Sequence, residues 1–528
     1  MIEMAMANLS SYNQTSLFGT DVILGALLEP DDLCSVVLKE IAPLIKDSDF
    51  ESMYKDGGRP PISPRILILT LLMQFLERLP DRAACRNLKF RLDWKIAFGL
   101  PMEFEGIHPT TLVYFRDRLI RNQQASILFD HIIDHLKVCG LVKKGGKQRI
   151  DSTHIIGCVR ELSRIELLHE TLRLFCLDVA SFSLSMDEAL LEAHEKYSEK
   201  ISIHGITDLQ KRELIRSAGH GMKSFILWTM SLQQTPEIQV LKSFATLKTV
   251  FEQNFIDTGT EPELIKVSTG AGHISSPHET EATYANKGKR GWIGYKGQVV
   301  ETVSTEEQGG VPNFITHIEL EDSTNFDGDC VVPIMQELKN QDIAPESLYG
   351  DTHYNTSLNI ESLKNDSIDL KGPVQPVSKN KEEKNEGFVV DVDKEKVTCP
   401  KGIESKHFHV DPNGKIGASF PKEACAQCPR REICKPEPRG KYYTAKTENL
   451  ILTQRREQMK DPAYKKDLHK RNGIEGCLSG LVRGQGWRRC RYRGKAKAQL
   501  QTKFTGAAAN VSRLFRYRLH QQRAEMAA

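Results

Sequence analysis

Two aspartates follow short apolar segments that are typical of strands, at positions where a carboxylate could do chemistry. Asp151 ends the apolar part of Arg-Ile-Asp-Ser-Thr, and Asp351 lies in Leu-Tyr-Gly-Asp-Thr-His. A carboxylate just past a strand of an α/β sheet lies where ligands are usually bound. A pair of them can bind Mg²⁺, and two such ions can activate a nucleophile and stabilise the leaving oxygen of a phosphodiester. An aspartate at a strand end is also an ordinary turn or cap residue, so the pattern alone leaves both interpretations open.

A third carboxylate that could complete such a site is Glu475, in Lys-Arg-Asn-Gly-Ile-Glu-Gly. It lies in a basic end of the chain, because residues 461–528 carry sixteen Lys and Arg against four Asp and Glu. That end has a net charge of +12, whereas the whole chain has only +3. A basic module at one end indicates a polyanionic partner, although a solvated basic tail has the same composition.

Seven basic side chains in this end surround Trp487 and Tyr492. Lys and Arg neutralise phosphates without reading sequence, so we predict that these side chains bind DNA. They are Arg483, Arg488, Arg489, Arg491, Arg493, Lys495 and Lys497. The two aromatic rings could stack on an exposed base, but the favoured interpretation is that they belong to the core.

Four of the twelve cysteines form a cluster with the spacing C-x25-C-x2-C-x5-C, namely Cys399, Cys425, Cys428 and Cys434. The C-x2-C pair presents two thiolates to one tetrahedral Zn²⁺. In a reducing compartment such a cluster binds metal more often than it forms disulfides. We predict a structural zinc site, with an iron–sulfur cluster or four ordinary thiols as the alternatives.

Helices and short strands must position these residues. Apolar spacing predicts helices over 31–42, 64–79, 81–90, 93–98, 110–120, 329–338, 455–473 and 502–519, and a helical insertion from about 161 to 255. Asp81, Thr110 and Asp329 are the expected N-caps. Strands are predicted over 148–151, 292–304, 314–320 and 347–349, and a strand pair over 388–392 and 396–398. This order predicts an α/β fold with a mixed sheet flanked by helices, an N-terminal all-α module and a small Cys-rich β insertion.

Composition excludes several classes of protein. Of the 528 residues, 39% are hydrophobic and 27% charged, which is ordinary for a soluble globular protein and excludes collagen-like, disordered and multi-span membrane chains. The length allows about three domains. Residues 1–19 lack the basic start and apolar stretch of a secretory signal, so we expect a cytoplasmic protein.

Taken in order, the motifs resemble those of a bacterial insertion-sequence transposase of the DDE, RNase H-like superfamily. The resemblance runs from about Gly58 to the C-terminal helix and is strongest at the glutamate, where Arg471 begins the motif and a Gly-Trp-Arg-Arg-Cys-Arg-Tyr-Arg-Gly segment follows. The four cysteines before the glutamate match one subgroup of that family. The other matching segments are 58–61, 108–112, 150–153, 292–296, 315–317, 329–338 and 348–354.

The resemblance implies that Asp151, Asp351 and Glu475 are the catalytic residues and that they bind Mg²⁺ or Mn²⁺. It further implies metal-dependent cleavage of DNA at the ends of the element and strand transfer to target DNA. The partners would be the terminal repeats, the target DNA and a second copy in a homodimer, without a membrane. The protein would be nucleoid-associated in the cytoplasm. His154 and His353 would be structural neighbours of the aspartates.

Two positions depart from the pattern of the broader family. A tyrosine often stands three residues before the arginine, and a lysine often stands seven residues after the glutamate. Here those positions hold Leu468 and Val482, and Arg483 is one residue further on. Arg471, four residues before Glu475, is expected to share its helix face and reach a phosphate.

The resemblance also divides the chain. It implies an acidic N-terminal segment (1–57), a helical module for DNA binding or dimerisation (58–140), an RNase H-like core (145–371) with a helical insertion (160–255), a Cys-rich insertion (372–445) and a second part of the core (446–528). The alternatives to a transposase are a catalytically inactive DNA-binding regulator and a metal-dependent nuclease that does not join strands. The presence of all three carboxylates argues against the inactive regulator.

Overall fold

The computed structural model describes residues 28–29, 31–54, 62–160, 162–182, 185–203, 205–232, 236–259, 261–265, 272–288, 290–304, 310–376, 387–412, 414–434 and 436–527. Segment 58–61, which is part of the resemblance, and the lysine-rich segment 377–386, where the sequence predicts a linker or hairpin tip, lie outside these residues.

Short helices form the first part of the chain. They are α1 (Leu33–Val36, extended by a π turn, Val37–Ile41), α2 (Pro64–Leu76), α3 (Asp81–Phe90), α4 (Leu92–Phe98), α5 (Pro109–Arg121) and α6 (Ile127–Val138). Short 3₁₀ turns, Ala42–Leu44 and Asp47–Met53, separate α1 from α2. Helix α2 is buried along nearly its whole length, because it packs between the other helices and the long C-terminal helix.

Several helix ends differ from the predicted ones. Helix α2 stops at Leu76 because Arg78 takes a left-handed conformation, with φ of 57°. The N-cap of α5 is His108, whose ring Nδ1 accepts a hydrogen bond from the backbone N–H of Thr110, so the expected cap at Thr110 is wrong. Asp81 is likewise not a cap, since Pro80 precedes α3 and the Asp81 carboxylate pairs with Arg116.

A mixed sheet follows, as the sequence predicts, and it has six strands, of which Thr283–Lys287 and Asp369–Lys371 are not among the predicted ones. Its strands are β1 (Lys147–Ile156), β4 (Thr283–Lys287), β5 (Arg290–Thr302), β6 (Ile315–Asp322), β7 (Ser347–Tyr349) and β8 (Asp369–Lys371). Strand β5 is antiparallel to β1 on one side and to β4 and then β6 on the other, whereas β1, β7 and β8 run parallel. The sheet order is therefore β6-β5-β1-β7-β8, with β4 extending the edge beside β6.

Three helices cover this sheet: α12 (Val331–Asn340), α13 (Ser357–Asn365) and α19 (Lys495–Ala527). A 3₁₀ turn, Asp327–Cys330, leads into α12, and Cys330 rather than Asp329 is its N-cap. Asn510 of α19 binds β6 directly, since its side chain donates to the Ile315 carbonyl (2.8 Å) and accepts from the Ile315 N–H (2.9 Å). This pairing fixes the C-terminal helix against the edge of the sheet.

The insertion between β1 and β4 has its own apolar core. It consists of α7 (Arg164–Val179), α8 (Glu188–Ser198), α9 (Asp208–Ser231), α10 (Pro236–Gln239), α11 (Lys242–Asn254) and a small strand pair, β2 (Phe255–Asp257) and β3 (Pro262–Leu264). Two glycines of α9 allow close packing, because a Cβ at Gly219 would lie 2.6 Å from the Phe255 ring and one at Gly221 would lie 2.7 Å from the Tyr197 ring.

A second insertion follows β8. The hairpin β9 (Val389–Asp391) and β10 (Lys396–Thr398) confirms the predicted strand pair. A three-stranded sheet then forms from β11 (His407–Val410), β12 (Lys415–Ser419) and β13 (Tyr442–Lys446), with α14 (Lys422–Ala426) and α15 (Arg431–Cys434) between the last two strands. Val397, Ala418, Phe420 and Tyr443 form its small core.

The segment that leads to Glu475 consists of short helical pieces. The helix predicted over 455–473 is divided into α16 (Thr447–Gln458), α17 (Pro462–Leu468) and a 3₁₀ turn, His469–Asn472. Helix α18 (Gly473–Ser479) follows and continues as a π turn, Gly480–Gly484. Among the helices of the described residues, we find none with the length and apolarity required to cross a bilayer.

A buried ionic network ties these parts together. Glu301 of β5, which is 1% exposed, accepts from Arg149 of β1 (2.6 and 2.8 Å) and from Arg513 of α19 (2.9 Å). Arg149 also donates to the Lys470 carbonyl (2.8 Å), and Arg513 donates to the Cys477 sulfur (3.0 Å). The network therefore joins two strands and the C-terminal helix to the segment that carries Glu475.

We expect Glu301→Gln to destabilise the core strongly. Removing the charge leaves two arginines in a poorly hydrated site without a counter-charge, which costs about 3–5 kcal/mol. The matched control is Glu261→Gln, because Glu261 pairs with Arg216 at a site where both side chains are 56% exposed and such pairs contribute about 0–1 kcal/mol. Urea unfolding followed by tryptophan fluorescence checks this, and equal effects of the two substitutions would contradict it.

Candidate functional site

Asp151 lies in the middle of β1, on the same face of the sheet as Arg149 and Thr153, because side chains alternate along a strand. Arg149 reaches the turn before α18. On the other side, the Thr153 hydroxyl accepts from Arg488 (3.0 Å), which follows that helix. The segment from Lys470 to Arg488 therefore covers the face of β1 that carries Asp151.

Asp351 reaches the same end of the sheet through strand register. Parallel pairing aligns Arg149 with Tyr349. Asp151 comes two residues later within β1, and Asp351 comes two residues later in the turn that follows β7. Gly350 is required between Tyr349 and Asp351, since a Cβ there would lie 2.9 Å from the Tyr354 side chain. The Asp351 carboxylate accepts the backbone N–H of His353 (2.8 Å), which fixes its orientation in the turn.

The surroundings of Asp151 disfavour its charged form. Burial, and to a smaller extent the negative charges of Asp351 and Asp327, raise the pKa of Asp151 to about 6, although a hydrogen bond from the Ser152 N–H and the charge of Arg471 act in the opposite direction. A raised carboxyl pKa means that the charged form of this group is less stable in the folded chain than in water. Such a carboxylate favours a bound cation.

Glu475 lies on α18, which packs on β1 through the buried Ile474. Gly473 at the start of the helix allows this packing, since a Cβ there would lie 2.0 Å from the Arg149 guanidinium. The Glu475 side chain itself is exposed. The structure thus brings Asp151, Asp351 and Arg471 together and places the glutamate helix over the same face.

Sequence reasoning missed a third acidic group at this site, Asp327. Its carboxylate pairs with Lys296 (3.0 Å) and accepts from Gln298 (3.2 Å), both on β5. The His353 ring lies between two carboxylates, with Nδ1 3.8 Å from Asp351 and 4.0 Å from Asp327. The short Asp-Gly-Asp segment before α12 is visible in the sequence, but it does not indicate that Asp327 lies near Asp351, because only the fold brings them together.

Four of the eight predicted DNA-binding side chains already have protein partners. The Arg488 guanidinium binds the end of β1, and Arg491 lies over the Phe75 ring (4.9 Å) and donates to the Leu79 carbonyl (3.0 Å). Lys495 pairs with Asp322 (2.7 Å) and Lys497 with Asp117 (3.0 Å). The exposed members of the set are Arg483, Arg489 and Arg493, and Arg471 lies beside Asp151. Their role in DNA binding stays a prediction.

Of the two aromatic residues among the basic side chains, Trp487 belongs to the core and Tyr492 is half-buried. Trp487 is fully buried under β5, where Gly297 leaves room for its ring, and its indole N–H donates to Thr502 (2.9 Å). The Tyr492 ring carries the Arg116 guanidinium at 4.6 Å. The burial of Trp487 confirms the favoured interpretation for that residue, and for Tyr492 it stays a prediction.

All four clustered cysteines line one small cavity in the second insertion. Tight turns present them, since the Gly402 N–H donates to the Cys399 carbonyl (2.8 Å) and the Cys428 N–H to the Cys425 carbonyl (3.4 Å). All four are free thiols. The expected site residues therefore come together although 25 positions separate the first two.

A different group of potential metal ligands is more closely spaced than the two predicted sites. Within the described ranges, the side chains whose metal-binding atoms all lie within 4.8 Å of one another are Glu40, His135 and Cys139. The Glu40 carboxylate is already held by the Arg518 guanidinium (2.8 and 2.9 Å), so this group is an ionic contact between the helical module and α19. The carboxylates around Asp151 and the four cysteines are more widely spaced.

Comparisons with known proteins match two parts of the chain. Residues 398–515 match the family model described as a transposase DDE domain, and residues 24–118 match the model described as a transposase domain, DUF772. No curated protein and no solved structure gave a match. The two models together support an insertion-sequence DDE transposase, with DNA as its partner and a divalent metal as the cofactor typical of that family.

Proposed function

We propose that the chain cleaves DNA at the ends of an insertion sequence and joins the freed 3′-OH to target DNA, with Asp151, Asp351 and Glu475 as catalytic residues. The observation that supports this proposal is the register of β1 and β7, which pairs Arg149 with Tyr349, two residues before each aspartate. The glutamate helix lies on the same face because Arg149 and Gly473 hold it there.

An RNase H-like core is the second part of the proposal. Strands β6, β5 and β1 form an antiparallel meander, and β7 and β8 add in parallel on the other side of β1. This arrangement supports the proposal, since it is the one expected from the resemblance. The glutamate then comes from a helix after the fifth strand of that core, which here follows the Cys-rich insertion.

The donor set fits Mg²⁺ or Mn²⁺, because carboxylate oxygens are the ligands that these ions prefer. Bound between the carboxylates, such ions would lower the pKa of a water molecule and neutralise charge on the phosphate. Asp151 and Asp351 would hold them at the sheet, and Glu475 would complete the site from α18. The raised pKa of Asp151 is the cost that a bound cation would relieve.

Two arginines on the glutamate segment would position the DNA. Arg471 lies beside Asp151 and could bind the phosphate that is cut. Arg483 is eight residues after Glu475, one more than in the broader family, but the π turn Gly480–Gly484 has more residues per turn than an α-helix. The π turn therefore rotates Arg483 back towards the face of Glu475.

The reaction would run in two balanced steps. Water attacks a phosphodiester and breaks its P–O3′ bond, leaving a 3′-OH and a 5′-phosphate. The 3′-OH then attacks a phosphodiester of the target, so one P–O bond forms as another breaks, without an oxidant or a covalent enzyme intermediate. Joining requires two element ends in one complex, which is the reason to expect a homodimer that works at the nucleoid.

Cleavage and joining should depend on the carboxylates. With labelled duplex DNA carrying the ends of the element, we expect Mg²⁺-dependent cut and joined products from the wild type. Asp351→Asn and Glu475→Gln should lower the rate by at least about 10³-fold, because metal positioning and charge stabilisation supply most of the acceleration. Gel analysis of both products measures this.

Matched controls are Asp329→Asn and Glu361→Gln, which remove exposed carboxylates from neighbouring helical segments. Both should stay within about twofold of the wild type. Cutting without joining would favour the nuclease, and binding without cutting, in Mn²⁺ as well, would favour the regulator. Equal losses in the controls and the carboxylate variants would contradict the assignment of the site.

We also propose that the four cysteines hold a structural Zn²⁺. Four thiolates are a closed donor set for zinc, and hydrogen-bonded turns present two of them, Cys399 and Cys425. The cavity that they line belongs to an insertion with a small apolar core, and such cores usually need a metal to be stable. The insertion would then hold the path of the chain from β8 to the glutamate helix.

We expect one zinc per chain in protein purified from a reducing cytoplasm. Cys428→Ser should lower the zinc content to near zero and expose the insertion to protease, whereas Cys158→Ser, another half-buried thiol, should leave both unchanged. Elemental analysis and limited proteolysis measure these changes. Iron with visible absorbance would favour the cluster alternative, and a metal-free, protease-resistant wild type would contradict a metal site.

A further inference from the structure

We propose that Arg78 of the helical module and Arg483 of the glutamate segment together bind one stretch of DNA phosphates. We call this pair the arginine clamp, and the inference rests on the function proposed above. It assigns a DNA-binding residue to the helical module and makes that module part of the surface that holds DNA for the catalytic core.

The backbone at Arg78 is the first sign of a special position. Helix α2 ends in a double hydrogen bond, from the Arg78 N–H to the Phe75 carbonyl (3.3 Å) and from the Leu79 N–H to the Gln74 carbonyl (2.8 Å). This motif normally has glycine at the left-handed position. The chain has arginine there instead, at φ of 57°, and a left-handed side chain costs about 1 kcal/mol. Stability alone would favour glycine.

The side chain at this position reaches the other half of the chain. One guanidinium N–H of Arg78 donates to the Arg483 carbonyl (3.2 Å), at the end of the π turn that follows α18. The guanidinium lies along Gly486, where an added Cβ would be 3.5 Å from both Nε and Nη2. The same loop returns a contact, because Arg491 donates to the Leu79 carbonyl (3.0 Å). Both segments are therefore fixed relative to each other.

The two arginines carry their charges at the surface of the protein. Arg78 and Arg483 are exposed, and in the described part of the chain neither has a carboxylate within 4.0 Å. The neighbouring Glu77 is already occupied by Arg91 (2.5 Å) and by the Trp94 indole (3.0 Å). The contact places the Arg78 guanidinium at the backbone of Arg483, and an anion bound there would be attracted by both positive charges.

The position of the clamp on the catalytic segment favours DNA as that anion. Arg483 lies eight residues after Glu475 on one continuous helical segment, so a phosphate bound here belongs to the same strand region as the phosphate at the carboxylates. Among the described residues, one N–H of Arg78 is used by a protein carbonyl, and the guanidinium has further donors for phosphate oxygens. The arginine clamp is thus a continuation of the proposed catalytic surface.

Arg78→Gly tests the clamp without damaging the fold, because glycine suits the left-handed position. The probe is a fluorescein-labelled 40-base-pair duplex, without divalent ions, titrated over a series of NaCl concentrations. We expect the negative slope of log K against log [NaCl] to become shallower by about 1, since one phosphate contact is lost. We expect affinity at 100 mM NaCl to fall by about 5–10-fold, with a similar loss for Arg483→Gln.

Two control variants separate the clamp from backbone and general charge effects. Gln123→Gly changes another exposed left-handed residue, at the end of α5 in the same module, with φ of 56°. Arg212→Gln removes an exposed positive charge from α9 in the helical insertion. Both should keep the salt slope and affinity of the wild type.

If Arg78→Gly behaves like Gln123→Gly while the wild type still binds and cuts DNA, the clamp is wrong and the proposed function stands. If the wild type shows no salt-dependent DNA binding, or cuts without its carboxylates, the proposed function fails as well. A lowered thermal midpoint of Arg78→Gly with an unchanged salt slope would make Arg78 a cap of the glutamate segment only, which also overturns the clamp.

Discussion

The buried pairing of Arg149 and Arg513 with Glu301 is the constraint on which the rest of the molecule depends. Its three side chains come from β1, the C-terminal helix and β5, and it also holds the carbonyl of Lys470 and the sulfur of Cys477. A buried charge is tolerated only when its partners stay in place. The segment that carries the glutamate is therefore fixed to the strand that carries the first aspartate, although more than 300 residues separate them.

This constraint explains how a chain with two large insertions can keep one site. The helical insertion has its own apolar core, and the Cys-rich insertion has a small one, so each can fold without distorting the sheet. The glutamate segment is also held from the other side, because the Asp467 carboxylate accepts from Tyr349 and Lys371 (3.0 Å each). Although burial raises the pKa of Asp467, hydrogen bonds from Lys470, Lys371 and Tyr349 lower it to about 2, so these contacts persist over the neutral pH range.

Much of the fold and part of the site follow from the sequence. The sequence places Asp351 just after a strand, whereas the strand predicted to end at Asp151 continues to Ile156. The cysteine spacing identifies a cluster that the fold assembles around one cavity. Local sequence patterns do not predict which residues far apart in the chain pair with each other. Four of the eight basic side chains have protein partners, Asp327 joins the site only through folding, and the left-handed Arg78 has meaning only beside Arg483. The predicted helix caps at Asp81, Thr110 and Asp329 were wrong because a neighbouring residue is the N-cap of each helix. The Asp81 carboxylate pairs with Arg116 instead.

The most direct measurement is the anomalous scattering of Mn²⁺ in crystals of the chain grown with the ion at pH 7.5, above the pKa of Asp151. We expect a peak within about 2.5 Å of carboxylate oxygens of both Asp151 and Asp351, with Glu475 turned towards it or towards a second ion. The peak should vanish in crystals of Asp351→Asn. Mn²⁺ bound elsewhere on the chain, with nothing between the two aspartates, would contradict the central claim that they form the metal site of a transposase.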